Sequence, residues 1–256
     1  MLRKCFSGLA LGALLAVPAQ AQTVDELIGK NIQARGGLEK LKAVNTAKMT
    51  GKMSMGPVAA PFTLQMKRPK NMRVEFTVQG MTGVQAYDGK TAWMLMPFMG
   101  KPDPEVVPAD ETKEADEQAD FDGPLVDYKA KGNAVDLIGK DKVEGSDAYK
   151  LKVTLNSGDV RYIYLDADSH LEVKTEGKRN VRGAEQEFES SVGDYKEVNG
   201  LMIPFSITSA AKDQPGKQTI TIEKVELNVP MEDTLFKLPA AKPAEPAKKP
   251  EAPVKK

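Results

Sequence analysis

The 256 residues balance 36 Lys and Arg against 36 Asp and Glu, a neutrality that argues against a general nucleic-acid or polyanion binder. One cysteine, Cys5, and one histidine, His170, leave no basis for a disulfide framework or a Cys/His zinc site.

Arg3 and Lys4 precede a short apolar run from Phe6 to Val17, and Pro18-Ala19-Gln20-Ala21 offers a cleavage site with small residues. The run is well short of the roughly 20 apolar residues that cross a bilayer. It reads as a secretory signal over residues 1–21, cut after Ala21, and predicts a periplasmic protein. Cys5 lies far from the cut, so no lipid anchor is expected there. The mature domain is expected over residues 22–238 and as a monomer. Residues 239–256 are Pro, Ala, Lys and Glu with one Val, a composition that cannot bury a core and predicts a disordered tail.

Thr23-Val24-Asp25-Glu26 is a capping box. Val24, Leu27, Ile28 and Ile32 follow at helical spacing, and Gly36-Gly37 should stop the helix. From Thr46 the period becomes two. Met49, Met53 and Met55 share one face of a strand, with Gly51 between them. Phe62, Leu64 and Met66 line the next, and Met72, Val74, Phe76 and Val78 a third. Tyr87-Asp88-Gly89-Lys90 is a hairpin turn, and Thr91 to Met96 returns. These strands predict an antiparallel meander with one apolar face.

Asp103 to Asp122 is acidic and interrupts the strands, with helical composition over Ala109 to Ala119 and a break at Gly123-Pro124. Strands resume near Val135. Tyr149, Leu151, Val153 and Leu155 alternate, Asn156 to Asp159 turns, and Val160 to Leu165 returns. Further strands are expected at Leu171–Thr175, Glu185–Val192, Leu201–Ile207 and Gln218–Val229, the last with a bulge between Ile222 and Val225. No strand–helix–strand alternation occurs. The expected fold is mainly β (α+β): a single curled antiparallel sheet, an incomplete barrel, with an N-terminal helix and a helical lid insertion.

Catalytic chemistry finds little footing. There is no G-x-S-x-G motif, and His170 sits in a turn between two strands, where a triad is hard to assemble. No glycine-rich phosphate loop or calcium loop is present. The expectation is no enzyme, no cofactor and no metal. Nine of the 12 methionines fall between Met49 and Met99. Flexible, polarisable methionine suits a surface that repacks around apolar ligands, and a curled sheet lined by it could enclose a cavity. Two other readings stand beside this one. The methionines could be ordinary core, and Met53-Ser-Met55 or Met94-Leu-Met96 could ligate a soft metal, although the strand pleat alone explains that spacing.

Three segments carry a family resemblance: Ala86–Gly100, Tyr149–Leu155 with Tyr162–Asp166, and Asp194–Pro204. They resemble the outer-membrane lipoprotein-sorting proteins of the LolA/LolB-like superfamily, from about Val24 to Pro239. The resemblance implies an incomplete barrel plugged by helices over an apolar cavity. It also implies a carrier that takes acyl chains of lipoproteins or other lipids from an inner-membrane donor to an outer-membrane acceptor. The expected cavity wall is Met53, Met55, Phe62, Leu64, Met66, Val74, Phe76, Trp93 and Met96, with Phe121 and Leu125 on the lid. Pro97 to Gly100 is expected as an exposed apolar loop. Arg73 alternates onto the face opposite Met72 and Val74. The alternative is a non-carrier envelope binding or scaffold module with a self-filled core.

Overall fold

The computed structural model describes residues 22–56, 58–181, 184–212 and 216–240. The signal sequence expected at 1–21, and the tail from 241 onward, lie outside the described residues. Helix α1 (Val24–Ala34) begins at the expected capping box: the Thr23 hydroxyl accepts from the Glu26 amide and the Glu26 carboxylate accepts from the Thr23 amide. Gly36 and Gly37, both at positive φ, end it, and α2 (Leu38–Ala43) follows.

Thirteen strands then form one antiparallel sheet. They are β1 (Thr46–Met55), β2 (Val58–Lys67), β3 (Asn71–Val78), β4 (Met81–Tyr87), β5 (Ala92–Met96), β6 (Lys101–Val106), β7 (Ala134–Val143), β8 (Ser146–Thr154), β9 (Val160–Asp166), β10 (Glu172–Val181), β11 (Ala184–Val198), β12 (Leu201–Ala211) and β13 (Lys217–Leu227). The spatial order is β6-β5-β4-β3-β2-β1-β13-β12-β11-β10-β9-β8-β7. The two edges are therefore β6 and β7, and the sheet stays open between them. The chain that joins these edges, residues 107–133, contains α3 (Ala109–Gln118). The insertion thus lies across the open side because it must connect the two edge strands.

The expected bulge is present. Thr50 pairs with Lys224 and Gly51 with Ile222, so Glu223 is the extra residue. The bulge lets Ile222 and Val225 face the same side although they are three apart. Strand β6 was not legible, because its Lys-Pro-Asp-Pro-Glu-Val sequence is poor strand composition. It is an outer edge, where proline costs no ladder bond.

The apolar face of the sheet packs against the helices and the insertion in three places. Leu27 and Ile28 of α1 meet Leu151, Val153, Ile163 and Leu165 of β8 and β9, with Leu125 of the insertion. Ala119, just past α3, is buried against Met72, Tyr87 and Ala92. Leu41 of α2 and Val126 of the insertion meet Leu201 of β12. The candidate site lies among these three contacts.

Candidate functional site

The insertion is held by ion pairs to two parts of the sheet, the turn between β2 and β3 and strand β9, and to α2. Arg68, in the turn after β2, donates from Nη1 to Asp122 Oδ2 at 2.9 Å and from Nη2 to Asp122 Oδ1 at 2.5 Å. Its Nε donates to the Val44 carbonyl at 2.7 Å and Nη2 to the Leu41 carbonyl at 3.0 Å. Lys42 adds a second cation to Asp122 at 2.7 Å. Burial alone would raise the Asp122 carboxyl, but the bonds and charges of Arg68 and Lys42 win and hold it down at about 2. Under α3, Lys70 pairs with Asp116 at 2.6 Å and Arg161 of β9 with Glu117 at 2.8 Å. Burial pushes the Glu117 carboxyl up. Lys131 closes the insertion on itself, pairing with Asp120 at 2.6 Å.

Two adjoining cavities lie beneath this cover. One, of about 560 Å³, sits between the insertion and strands β8 to β11, lined by Leu155, Arg161, Ile163, Thr175 and Ser190 among others. The second, of about 350 Å³, is more apolar and touches Met49, Met66, Phe121, Val192, Ile203 and Leu227. Asp120, Pro124 and Glu172 border both. Glu172 is half-buried. Burial pushes its carboxyl up, against the pull of the Thr175 hydroxyl and the charge of Arg35. The Tyr195 hydroxyl donates to the Glu172 backbone carbonyl at 2.8 Å.

The residues marked from sequence divide into five groups. Met66 borders the second cavity, as do Phe121 and Leu125 of the insertion. Phe62 packs with Phe205 and Ile222, with Met53, Leu64 and Phe76 half-buried around them. Val74 is half-buried beside Met72, and Met96 is buried on the same face of the sheet. Met55 is placed at the end of β1 by its backbone; its side chain lies outside the described residues.

Trp93 is the correction. It pairs with Ala86, on the face opposite Met94 and Met96, because residues three apart on a regular strand cannot share a face. There it packs with Val84 and Ala86 and donates Nε1–H to the Phe236 carbonyl at 2.8 Å. The Arg73 guanidinium stacks on its ring at 5.5 Å, so Arg73 is on the outer face as alternation predicted. The apolar loop is partly turned inward: the Phe98 ring packs on Phe76 at 5.7 Å between centroids, while Met99 is exposed. His170 occupies a turn, with its ring stacked on Tyr149 at 6.1 Å.

Sequence reasoning missed Arg68, Asp122, Arg35 and Glu172. Asp122 is one acid in an acidic run, and nothing local separates the buried one from the solvated ones. Glu172 opens a strand whose bulge, between Glu172 and Lys174, disturbs the alternation that would have placed it inside.

No protein-family model matches the sequence, and no curated protein matches it. Solved structures do match by shape. A LolA superfamily protein from Nitrosomonas europaea aligns with a TM-score of 0.58 and 14% identity, covering 85% of this chain and 98% of that one. A DUF1329 family protein from Desulfovibrio piger gives 0.58 and 12%, covering 85% and 98%. An outer membrane lipoprotein-sorting protein domain from Vibrio parahaemolyticus gives 0.54 and 12%, covering 82% and 97%. At such identities the likeness is one of fold.

Proposed function

We propose that this chain, whose fold is that of the LolA superfamily, is a non-enzymatic carrier of the cell envelope. It shelters the acyl chains of a lipidated protein, or of another lipid, between its curled sheet and its helical cover. The observation that carries this reading is the pair of adjoining cavities under an insertion that reaches the sheet at separate apolar contacts and ion pairs. A space of about 560 Å³ is within the range of ligand pockets, roughly 300–1,000 Å³. Each chain methylene moved into it from water gains about 0.8 kcal/mol before ordering costs, so affinity needs no bond to be made or broken. The half-buried stripe of Leu64, Val74 and Phe76 extends the apolar wall beyond Met66.

In this reading the protein works in the periplasm, receives its cargo from an inner-membrane donor and yields it to an outer-membrane acceptor. Release follows when the cover opens and the acceptor binds the chain more favourably. Native mass spectrometry of protein purified from its own envelope, joined to titration with a fluorescent fatty-acyl probe, tests the reading. Co-purified lipid and saturable probe uptake are expected. A well-folded protein that carries no lipid and takes up no probe sinks the carrier reading. One observation favours a second reading, a binding or scaffold module: Phe62, Phe205 and Ile222 already pack on one another, so part of the expected wall is self-filled.

A further inference from the structure

The charges around the two cavities are matched in pairs with two exceptions. Asp116 has Lys70, Glu117 has Arg161, Asp120 has Lys131, and Asp122 has Arg68 and Lys42. Glu172 and Arg35 border the second cavity together. Among the described residues neither forms an ion pair, with the other or with any third group. Arg35 donates one N–H to the Asp122 carbonyl at 3.0 Å, a small part of a guanidinium with five donors. Glu172 accepts from the Thr175 hydroxyl and feels the charge of Arg35 without an ion-pair contact to it.

We infer that Glu172 and Arg35 form a head-group site for a zwitterionic amphiphile, with its ammonium at Glu172 and its anionic oxygens at Arg35. This rests on the carrier reading and names the cargo chemistry. The physical argument is the cost of a half-buried charge that lacks an ion-pair partner. A ligand with one charge satisfies one of the two groups and leaves the other. A neutral lipid satisfies neither. A head carrying both signs satisfies both, and the guanidinium fork suits phosphate oxygens in particular. Burial pushes the Glu172 carboxyl up and so disfavours its charged form, which an arriving ammonium favours again. The apolar lining of Met49, Met66, Val192 and Leu227 lies beside the pair and takes the chain.

The test compares lysophosphatidylethanolamine, lysophosphatidylglycerol and monoacylglycerol of one chain length, each by displacement of the fluorescent acyl probe. The zwitterion should bind about tenfold more tightly than either of the others, a difference of about 1.4 kcal/mol. In Glu172→Gln the ratio of zwitterion to anion should fall toward one. In Arg35→Gln the advantage of the anion over the neutral lipid should be lost. Three lipids that bind alike, or a zwitterion preference untouched by Glu172→Gln, overturn the head-group site and leave the carrier reading standing. If none of the three binds, both fall. If Glu172→Gln does not fold, the ranking on the unaltered protein decides.

Discussion

Arg68 grips Asp122 with two of its nitrogens and α2 with Nε and Nη2, through the carbonyls of Val44 and Leu41. One side chain thus ties the turn after β2, the second helix and the insertion that spans the open side of the sheet. The Asp122 side chain is 4% exposed and that of Arg68 21%. At this depth the loss of one partner strands a charge, which costs about 3–5 kcal/mol.

That clasp makes the insertion the first part of the molecule to open when it is cut. In Arg68→Ala the cheaper route is for residues 119–133 to leave the sheet, rather than for Asp122 to stay buried with Lys42 alone. Hydrogen exchange should speed up in this segment while β8 and β9 stay protected, and a bound acyl probe should leave several-fold faster. A uniform loss of protection along the chain, with unchanged probe release, shows that Arg68 is structural cement and not a clasp of the cover.

The same pair sets a pH dependence. Asp122 is held at about 2 against a usual 3.8, so its contribution is fully present above 3.8 and is lost as pH falls through the folded value. The gap corresponds to roughly 2 kcal/mol. Glu117 and Glu172, whose carboxyls are raised, act in the opposite sense and favour the folded state as pH falls. Urea melts of the protein and of Asp122→Asn across that range isolate the Asp122 part. The difference between them should shrink toward acid, and a constant difference refutes the assignment.

Gly51 offers a test of the bulge. A Cβ at this position meets the Thr221 carbonyl oxygen at 2.0 Å and the Ile222 Cα at 2.9 Å, both backbone and both held by the ladder of β1 with β13. Gly51→Ala should therefore cost at least the roughly 1–3 kcal/mol of an overpacked core, read by chemical denaturation. Gly193, with open space where its Cβ would be, is the matched control. Equal effects at the two positions contradict the close approach.

Much of this fold was legible because the strands obey one rule. Alternation put Phe62, Leu64 and Met66 on one face of a strand and Met72, Val74 and Phe76 on one face of the next, and the structure pairs them across the sheet. The doublet Ile222 and Val225 betrayed the bulge. The cover was legible as composition but not as structure. A short polar helix such as α3 carries little periodicity, and its position follows from which strands it connects, a property of the whole topology. The site was the least legible part. A methionine-rich stripe says that a surface is apolar, but not whether side chains from β12 and β13 fill it, as Phe205 and Ile222 do beside Phe62. Arg35 and Glu172 are 137 positions apart, and no local pattern joins them.

Trp93 supplies the last prediction, because it is the one tryptophan of the chain and lies on the face away from the cavities. Its indole N–H reaches the Phe236 carbonyl, and Phe236 is fully buried, so the segment after β13 straps the outer face of β3 to β5. Trp93 emission should therefore stay unchanged while an acyl ligand fills the cavity, and should shift to the red when the strap is released. Phe236→Ala releases it by removing a buried ring, at a cost of about 3–5 kcal/mol, and should give that shift together with a lower melting temperature. Lys237→Ala, at an exposed neighbour, should give neither. A blue shift on ligand addition to the unaltered protein would place Trp93 in the ligand's path and reverse its assignment to the outer face.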